Sequence, residues 1–321
     1  MRNQPHAIKL ALLGTLSKGG FHSGEELGAS LGVSRAAISK HIKGIQEWGV
    51  DVHRVQGKGY QLAQPMQLLD ENTLKHTIDT KFALVPVIES TNQYILDNSS
   101  ELESGFVCLA EYQSKGRGRR GRQWISPFGS NLYLSMYWQL DAGMAAAMGL
   151  SLVVGVALAE SLEQLGVPGV KLKWPNDLYH DDKKLAGILV EMSGQAGAAA
   201  NLVIGVGLNL SMAETVDGIS QPWTSLSNIT AKPVDRNQLA ALLVKTLNTT
   251  LQDYESFGMG EFVARWNRLD NYLGRKVKLL IGNKSVEGVA RGIDKQGAVL
   301  LETEQGTQSF IGGEISLRNN E

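Results

Sequence analysis

The chain is poor in several features that would place it at once. It has one cysteine, Cys108, in 321 residues. No intrachain disulfide can form, and a reducing, cytoplasmic setting is expected. The first residues show no basic segment followed by a long apolar core and a small-residue cleavage site, so no signal peptide is expected. Only residues 142–159 are uncharged over close to spanning length. They are rich in alanine, glycine and serine, and Glu160 follows directly. A buried helix over 145–165 is expected there, not a membrane segment. Net charge is nearly absent as well, at −1. That balance hides an asymmetry. Residues 1–65 hold eight cations against four acids, which leaves the remainder at −5. A basic small end on a mildly acidic body suggests that one part meets a polyanion and the other does not.

What is present is ordinary in bulk. Hydrophobic residues make up 43% and charged residues 20%, enough for two or three globular domains. The unusual stretch is 113–122, where five cations and three glycines fall in the last eight positions. Glycine allows tight turns and close approach to a ligand. Neighbouring cations ~6 Å apart in water repel by roughly 0.7 kcal/mol per pair. That is too little to unfold a domain and enough to keep such a loop mobile until an anion arrives. The stretch suits either a solvated basic loop or one that closes over a phosphate or carboxylate. Gly116, Gly118 and Gly121 also spell a formal dinucleotide fingerprint. It needs a helix directly after it, and Pro127 and Gly129 break any helix there, so that reading is rejected.

Residues 7–62 predict a compact unit. A first helix ends at Gly19-Gly20. Ser23 and Glu26 form a capping box for a second helix, which stops at Gly32. Ser34 caps a third over 35–47, with Ile38, Ile42 and Ile45 facing inward. Two short strands then flank Gln56-Gly57-Lys58-Gly59. Helix-turn-helix plus hairpin is a winged helix. DNA-contact candidates are Ser34, Arg35, Ser39, Lys40 and Lys43 on the third helix, and Arg54 and Lys58 on the wing.

Pro65 marks a linker. Beyond it come a short helix over 72–79, an apolar strand over 84–88, a strand over 106–112 and a strand over 131–138. Ser90, Thr91 and Asn92 end the 84–88 strand and either cap the next helix or bind a small polar ligand. A strand ending at Pro175 delivers Asn176 and Asp177 at a turn. Lys184 directly precedes an apolar strand and is expected at the sheet's mouth. The strand over 202–210 carries Gly205 and Gly207, which permit close approach. Asp235 caps a helix over 236–256, and a second runs over 261–269. From Arg275 short strands with glycine-rich turns suggest a small barrel or sandwich.

Together, Ser90-Thr91-Asn92, Gln113 with the glycine-arginine loop, Lys173-Trp174-Pro175-Asn176-Asp177, Lys184-Leu185-Ala186-Gly187 and Gly205-Val206-Gly207-Leu208-Asn209 resemble biotin–protein ligases. The preceding winged helix makes the whole chain similar to the bifunctional biotin operon repressor–ligases. The resemblance implies an α+β multidomain protein. Its parts would be a winged helix-turn-helix (1–65), a central mixed-sheet ligase domain of the biotin/lipoate type (66–270) and an SH3-like C-terminal barrel (271–321). It implies ATP and Mg²⁺ as cofactors, biotin as substrate, and biotinyl-5′-AMP as intermediate and corepressor. The implied partners are a lysine of a biotin carboxyl carrier protein, operator DNA of biotin biosynthesis genes and a second copy of the chain, with no membrane.

By the same carry-over, biotin is held by Ser90, Thr91, Asn92, Gln113, Lys184 and the backbone of Arg117, Gly118 and Arg119. The nucleotide is held by Arg119, Arg120, Arg122, Asn176, Lys184, Asn209 and Trp223. Lys184, Arg119 and Asp177 are the catalytic candidates, with Asp177 acting either through a metal–phosphate or as a base toward the incoming lysine. Residues 211–223 correspond to a segment that orders over the adenylate. Trp124 either stacks on a base, packs on Lys184 or serves the core. The competing readings are a ligand-sensing regulator without ligase activity and a lipoate–protein ligase.

Overall fold

A computed structural model describes residues 6–194, 199–212, 218–282, 284–311 and 316–319. The N-terminal unit has helices α1 (Ala7–Leu16), α2 (Gly24–Leu31) and α3 (Arg35–Gln46) and a hairpin of β1 (Val52–Val55) and β2 (Gly59–Leu62). Ser23 and Glu26 satisfy each other's backbone amides at 3.1 Å each, and Ser34 accepts from the Ala37 amide at 3.2 Å. Both helices therefore begin where their caps sit. Ile38, Ile42 and Ile45 are buried against α1, and His22 adds one bridge to Tyr60 beside the hairpin.

Next come α4 (Glu71–Thr77), β3 (Phe82–Leu84), β4 (Val87–Ile88), α5 (Thr91–Asn98), β5 (Val107–Ala110), β6 (Tyr112–Gln113) and β7 (Asn131–Leu140). The central unit continues with α6 (Leu150–Gln164), β8 (Lys171–Lys173), β9 (Asp177–His180), β10 (Lys183–Ser193), β11 (Ala200–Asn209), α7 (Arg236–Phe257) and α8 (Gly260–Leu269). Seven strands form a mixed sheet in the order β3-β5-β7-β11-β10-β9-β8. α5 covers one face, and α6, α7 and α8 cover the other.

Three elements differ from expectation. The 84–88 strand is two strands, because Pro86 cannot donate to a ladder; β3 pairs with β5, and β4 with β6. The 145–165 helix starts at Leu150, because Gly149 adopts φ 88°, outside the helical region. Asp177 opens β9 instead of sitting in a free turn, and pairs with Gly187. No helix among the described residues is long and apolar enough to cross a membrane.

The C-terminal strands β12 (Lys276–Ile281), β13 (Lys284–Ile293), β14 (Val299–Thr303), β15 (Gly306–Phe310) and β16 (Ser316–Asn319) make a five-stranded antiparallel sheet, ordered β15-β14-β13-β12-β16. The Trp174 indole donates to the Gly297 carbonyl at 3.1 Å and ties this sheet to the central one. At the other end the Trp48 ring stacks on Phe128 at 5.6 Å, and the Phe128 amide donates to the Trp48 carbonyl at 2.9 Å. The connecting residues are anchored as well. Gln67 donates to Asp235 at 2.7 Å, beside a buried Arg236–Glu111 ion pair at 2.7 Å.

Candidate functional site

A cavity of about 710 Å³ opens on the α5 side of the sheet, and every residue named above for biotin or nucleotide lines it. It runs across the strands in their spatial order. α5 and β11 form one end, β10 and β9 the middle, and β8 the other end.

At the first end Ser90 caps α5, accepting from the Gln93 amide at 3.4 Å. Gln113 accepts from the Thr91 amide at 2.9 Å and the Thr91 hydroxyl at 3.1 Å. It also donates to Ser126 at 3.1 Å. The buried Ser135 hydroxyl lies 2.7 Å from Thr91 Oγ1 and 2.5 Å from Asn92 Oδ1. Asn92 donates in turn to Glu191 at 2.8 Å. These small polar groups hold one another in fixed orientations. A Cβ on Gly205 would overlap the Asn92 amide; this is the close approach that glycine permits.

The glycine-arginine stretch is a folded hairpin. Gly118 N donates to Arg122 O at 2.7 Å and Trp124 N to Gly116 O at 2.8 Å. Arg120 takes φ 58° at its tip. The hairpin is followed by no helix, which agrees with rejecting the dinucleotide fingerprint. Arg117 is bound to the protein itself. Its guanidinium contacts Glu191 at 2.9 Å and Gln93 at 2.7 Å. Arg119 donates to Asn176 at 2.9 Å. Burial lowers the Arg119 pKa, and the Asp177 carboxylate opposes that shift. Arg120 and Arg122 are exposed at the rim.

In the middle the Lys184 ammonium lies 2.9 Å from Asp177 Oδ1, with both side chains about 15% exposed (14% and 15%). A bulge between Lys184 and Ala186 re-aims the strand there. Asn176 is fixed to Ile188 by two bonds of 2.9 Å each. Trp124 packs against Gly207, where a Cβ would strike the indole, and the Lys184 ammonium sits 5.5 Å from its ring centre. Trp124 therefore packs on Lys184, one of the roles open to it. Lys184 also pairs in parallel with Trp223, and Asn209 donates to the Thr224 carbonyl at 3.1 Å. Of the 211–223 segment, residues 213–217 lie outside the described residues.

Sequence reading missed several residues. Glu191, the carboxylate that holds Arg117, is the one charge in the apolar stretch 185–192 of β10, and such a residue signals an ion pair. Lys173, Tyr179 and Tyr272 close the far end. The DNA-contact candidates lie on the N-terminal unit. Lys40 and Lys43 on α3 and Arg54 and Lys58 on the hairpin are exposed. Arg35 is also exposed and pairs with Glu25 at 3.4 Å. Ser39 is half-buried, and the Ser34 hydroxyl already serves as the helix cap.

A mixed sheet with this glycine-arginine hairpin, between a helix-turn-helix and a small antiparallel sheet, defines a class. The chain belongs to the biotin/lipoate A/B protein ligase family, whose model matches residues 84–209. A helix-turn-helix family matches 9–61, and the biotin protein ligase C-terminal domain matches 272–318. Among its relatives, the chain is 52% identical over 318 residues to the bifunctional ligase/repressor BirA of Escherichia coli K12, covering 98% of this chain and 99% of the relative. It is 30% identical over 232 residues to the biotin–[acetyl-CoA-carboxylase] ligase of Paracoccus denitrificans, covering 71% of this chain and 96% of the relative. Among solved structures, the biotin protein ligase of Aquifex aeolicus in complex with biotin and ATP superimposes with a TM-score of 0.66 at 30% identity, over 75% of this chain and all of that one.

Proposed function

We infer that the protein is an ATP-dependent biotin–protein ligase joined to a biotin-responsive repressor. The observation that carries this is one cavity holding a hydrogen-bonded polar pocket at one end and the half-buried Lys184 and Arg119 cations beyond it. In the first half-reaction a biotin carboxylate oxygen bonds to the α-phosphorus of ATP. The α–β anhydride bond breaks, and diphosphate leaves with the electron pair. Carboxylate and phosphate repel each other, and Lys184 and Arg119 offset that repulsion where charge builds. Each such charge-assisted hydrogen bond contributes roughly 1.5–3 kcal/mol. In the second half-reaction a carrier-protein lysine amine attacks the acyl carbon and AMP departs. Asp177 takes part either through a metal–phosphate or by receiving that amine's proton.

Ser90, Thr91, Gln113 and the Arg117–Arg119 backbone bind the ureido ring. Asn92 orients this group from behind. Asn209 and Trp223 flank the base, and Arg120 and Arg122 close from the rim. No cluster of three metal-ligating side chains occurs among the described residues. Asp177 is one carboxylate beside a phosphate site, which suits Mg²⁺ carried on the nucleotide with Asp177 as its one protein ligand. When bound there, the ion neutralises phosphate charge.

The natural units are 1–65, 66–270 and 271–321. The basic face of α3 and the hairpin reads operator DNA as a two-fold dimer, with biotinyl-5′-AMP as corepressor. Labelled biotin incubated with the protein, ATP and Mg²⁺ is expected to yield a protein-retained adenylate. Recovery of free biotin alone would refute the ligase reading.

A further inference from the structure

The glycine-arginine hairpin is fastened by two ion pairs of unequal standing. Lys115 meets Glu89 at 2.7 Å, but both side chains are mostly exposed (69% and 64%), and pairs so open to water hold little. Arg117 meets Glu191 with both side chains far less exposed (35% and 30%). One terminal nitrogen of its guanidinium donates to both carboxylate oxygens, at 3.1 and 2.9 Å. The other donates to Gln93 at 2.7 Å, and Gln93 is itself turned by its bond to Asp97 at 2.6 Å. Glu191 stands on β10 and is not part of the cavity wall.

The same carboxylate reaches the pocket by a second route. Glu191 Oε2 also accepts from Asn92 at 2.8 Å. From Asn92 the contacts run through Ser135 to Thr91 and on to Gln113. These side chains close a ring beneath residues 113–117, and Glu191 is its one anion. A carboxylate has acceptors enough for both Asn92 and Arg117. An amide in its place offers one oxygen and adds two donors facing two donors. We propose that Glu191 is a positioning residue for biotin: it fixes Arg117, and with it the backbone that closes over the ligand, against Asn92 under the pocket. The proposal deepens the ligase reading and rests on it. The hairpin carries four arginines within 117–122, which repel one another, and the anion at 191 supplies the attraction that holds it down. A latch of this kind acts once the ligand is inside, so its loss appears in the rate of release and not in the rate of entry.

The test uses the full chain. Entry and release of biotin are followed by stopped-flow tryptophan fluorescence, KM for ATP by biotin-dependent exchange with labelled diphosphate, and the fold by melting temperature. Glu191→Gln and Arg117→Met are each expected to speed biotin release about tenfold, with the entry rate and KM for ATP within about twofold of the unaltered chain. Both break one contact, so the double variant releases biotin about as fast as either alone. Glu89→Gln removes the same charge beside the same hairpin and leaves release within about twofold. Arg117→Met keeps the ring under the pocket, so it reads the latch even where Glu191→Gln melts early. Unchanged release, additive losses in the double variant, or equal shifts for biotin and ATP would overturn the proposal and leave an ordinary surface ion pair. An unaltered chain that binds no biotin would instead sink the ligase reading, and this proposal with it.

Discussion

Lys184 and Asp177 form a close ion pair inside a cavity that also holds Arg119. Lys184→Ala removes the cation that we propose offsets the repulsion between carboxylate and phosphate. It is expected to lower biotin-dependent ATP–diphosphate exchange by about 10²–10³-fold with an unchanged circular dichroism spectrum. Diphosphate release at the normal rate would refute the assignment. Gly205 makes a different point. An added methyl would push into Asn92, which Ser135 and Glu191 hold in place. Gly205→Ala is expected to destabilise the chain by about 1–3 kcal/mol and to weaken biotin binding, measured by chemical unfolding and calorimetry. Unaltered affinity would show that Asn92 does not shape the pocket. At this scale the motif residues were legible, because their types already state a need for polar groups, cations and tight backbone. Glu191 and Tyr272 were not, because their roles depend on what faces them across the fold.

Among the elements, caps carried most of the legible information. Ser23, Ser34 and Asp235 each bond the amide that their position predicts. Backbone restrictions at Pro86 and Gly149 moved the elements that apolar patterning alone misjudged. The junction after α8 holds a buried carboxyl, Asp270, which accepts from the Tyr272 amide at 2.9 Å. Burial pushes its pKa from 3.8 to about 6, against the pull of that hydrogen bond and Lys171. In the fold the carboxyl keeps its proton up to about pH 6; in the unfolded chain it loses it near 4. Its contribution to stability is therefore fully present at low pH and falls as pH rises from about 4 to about 6, by up to about 3 kcal/mol. Asp270→Asn is expected to remove that slope relative to the unaltered chain, measured as melting temperature from pH 4 to 8. Parallel curves for the two proteins would contradict it. Other carboxylates, such as Glu163 beside Arg268, are shifted downward and slope the opposite way, so the comparison must be a difference.

In the whole molecule, the segment after the glycine-arginine hairpin touches both functions. Trp124 packs under Lys184, and Phe128, four residues on, stacks on Trp48 of the DNA-binding unit. We propose that a bound adenylate acts on the basic end through this contact. Operator affinity is expected to rise about tenfold or more with biotin and ATP present, within the usual range of coupling between sites. Footprinting that gives equal affinity with and without them would contradict the coupling. The sequence by itself determined the winged helix, the central strands, the cationic loop and the family, because caps, apolar periodicity and motif spacing are local properties of the chain. Tertiary structure alone decided that Arg117 belongs to Glu191, that Trp124 lies beneath Lys184 and that Tyr272 closes the cavity. Those pairings join residues far apart in sequence, and only the packing of the sheet against its neighbours brings them within reach.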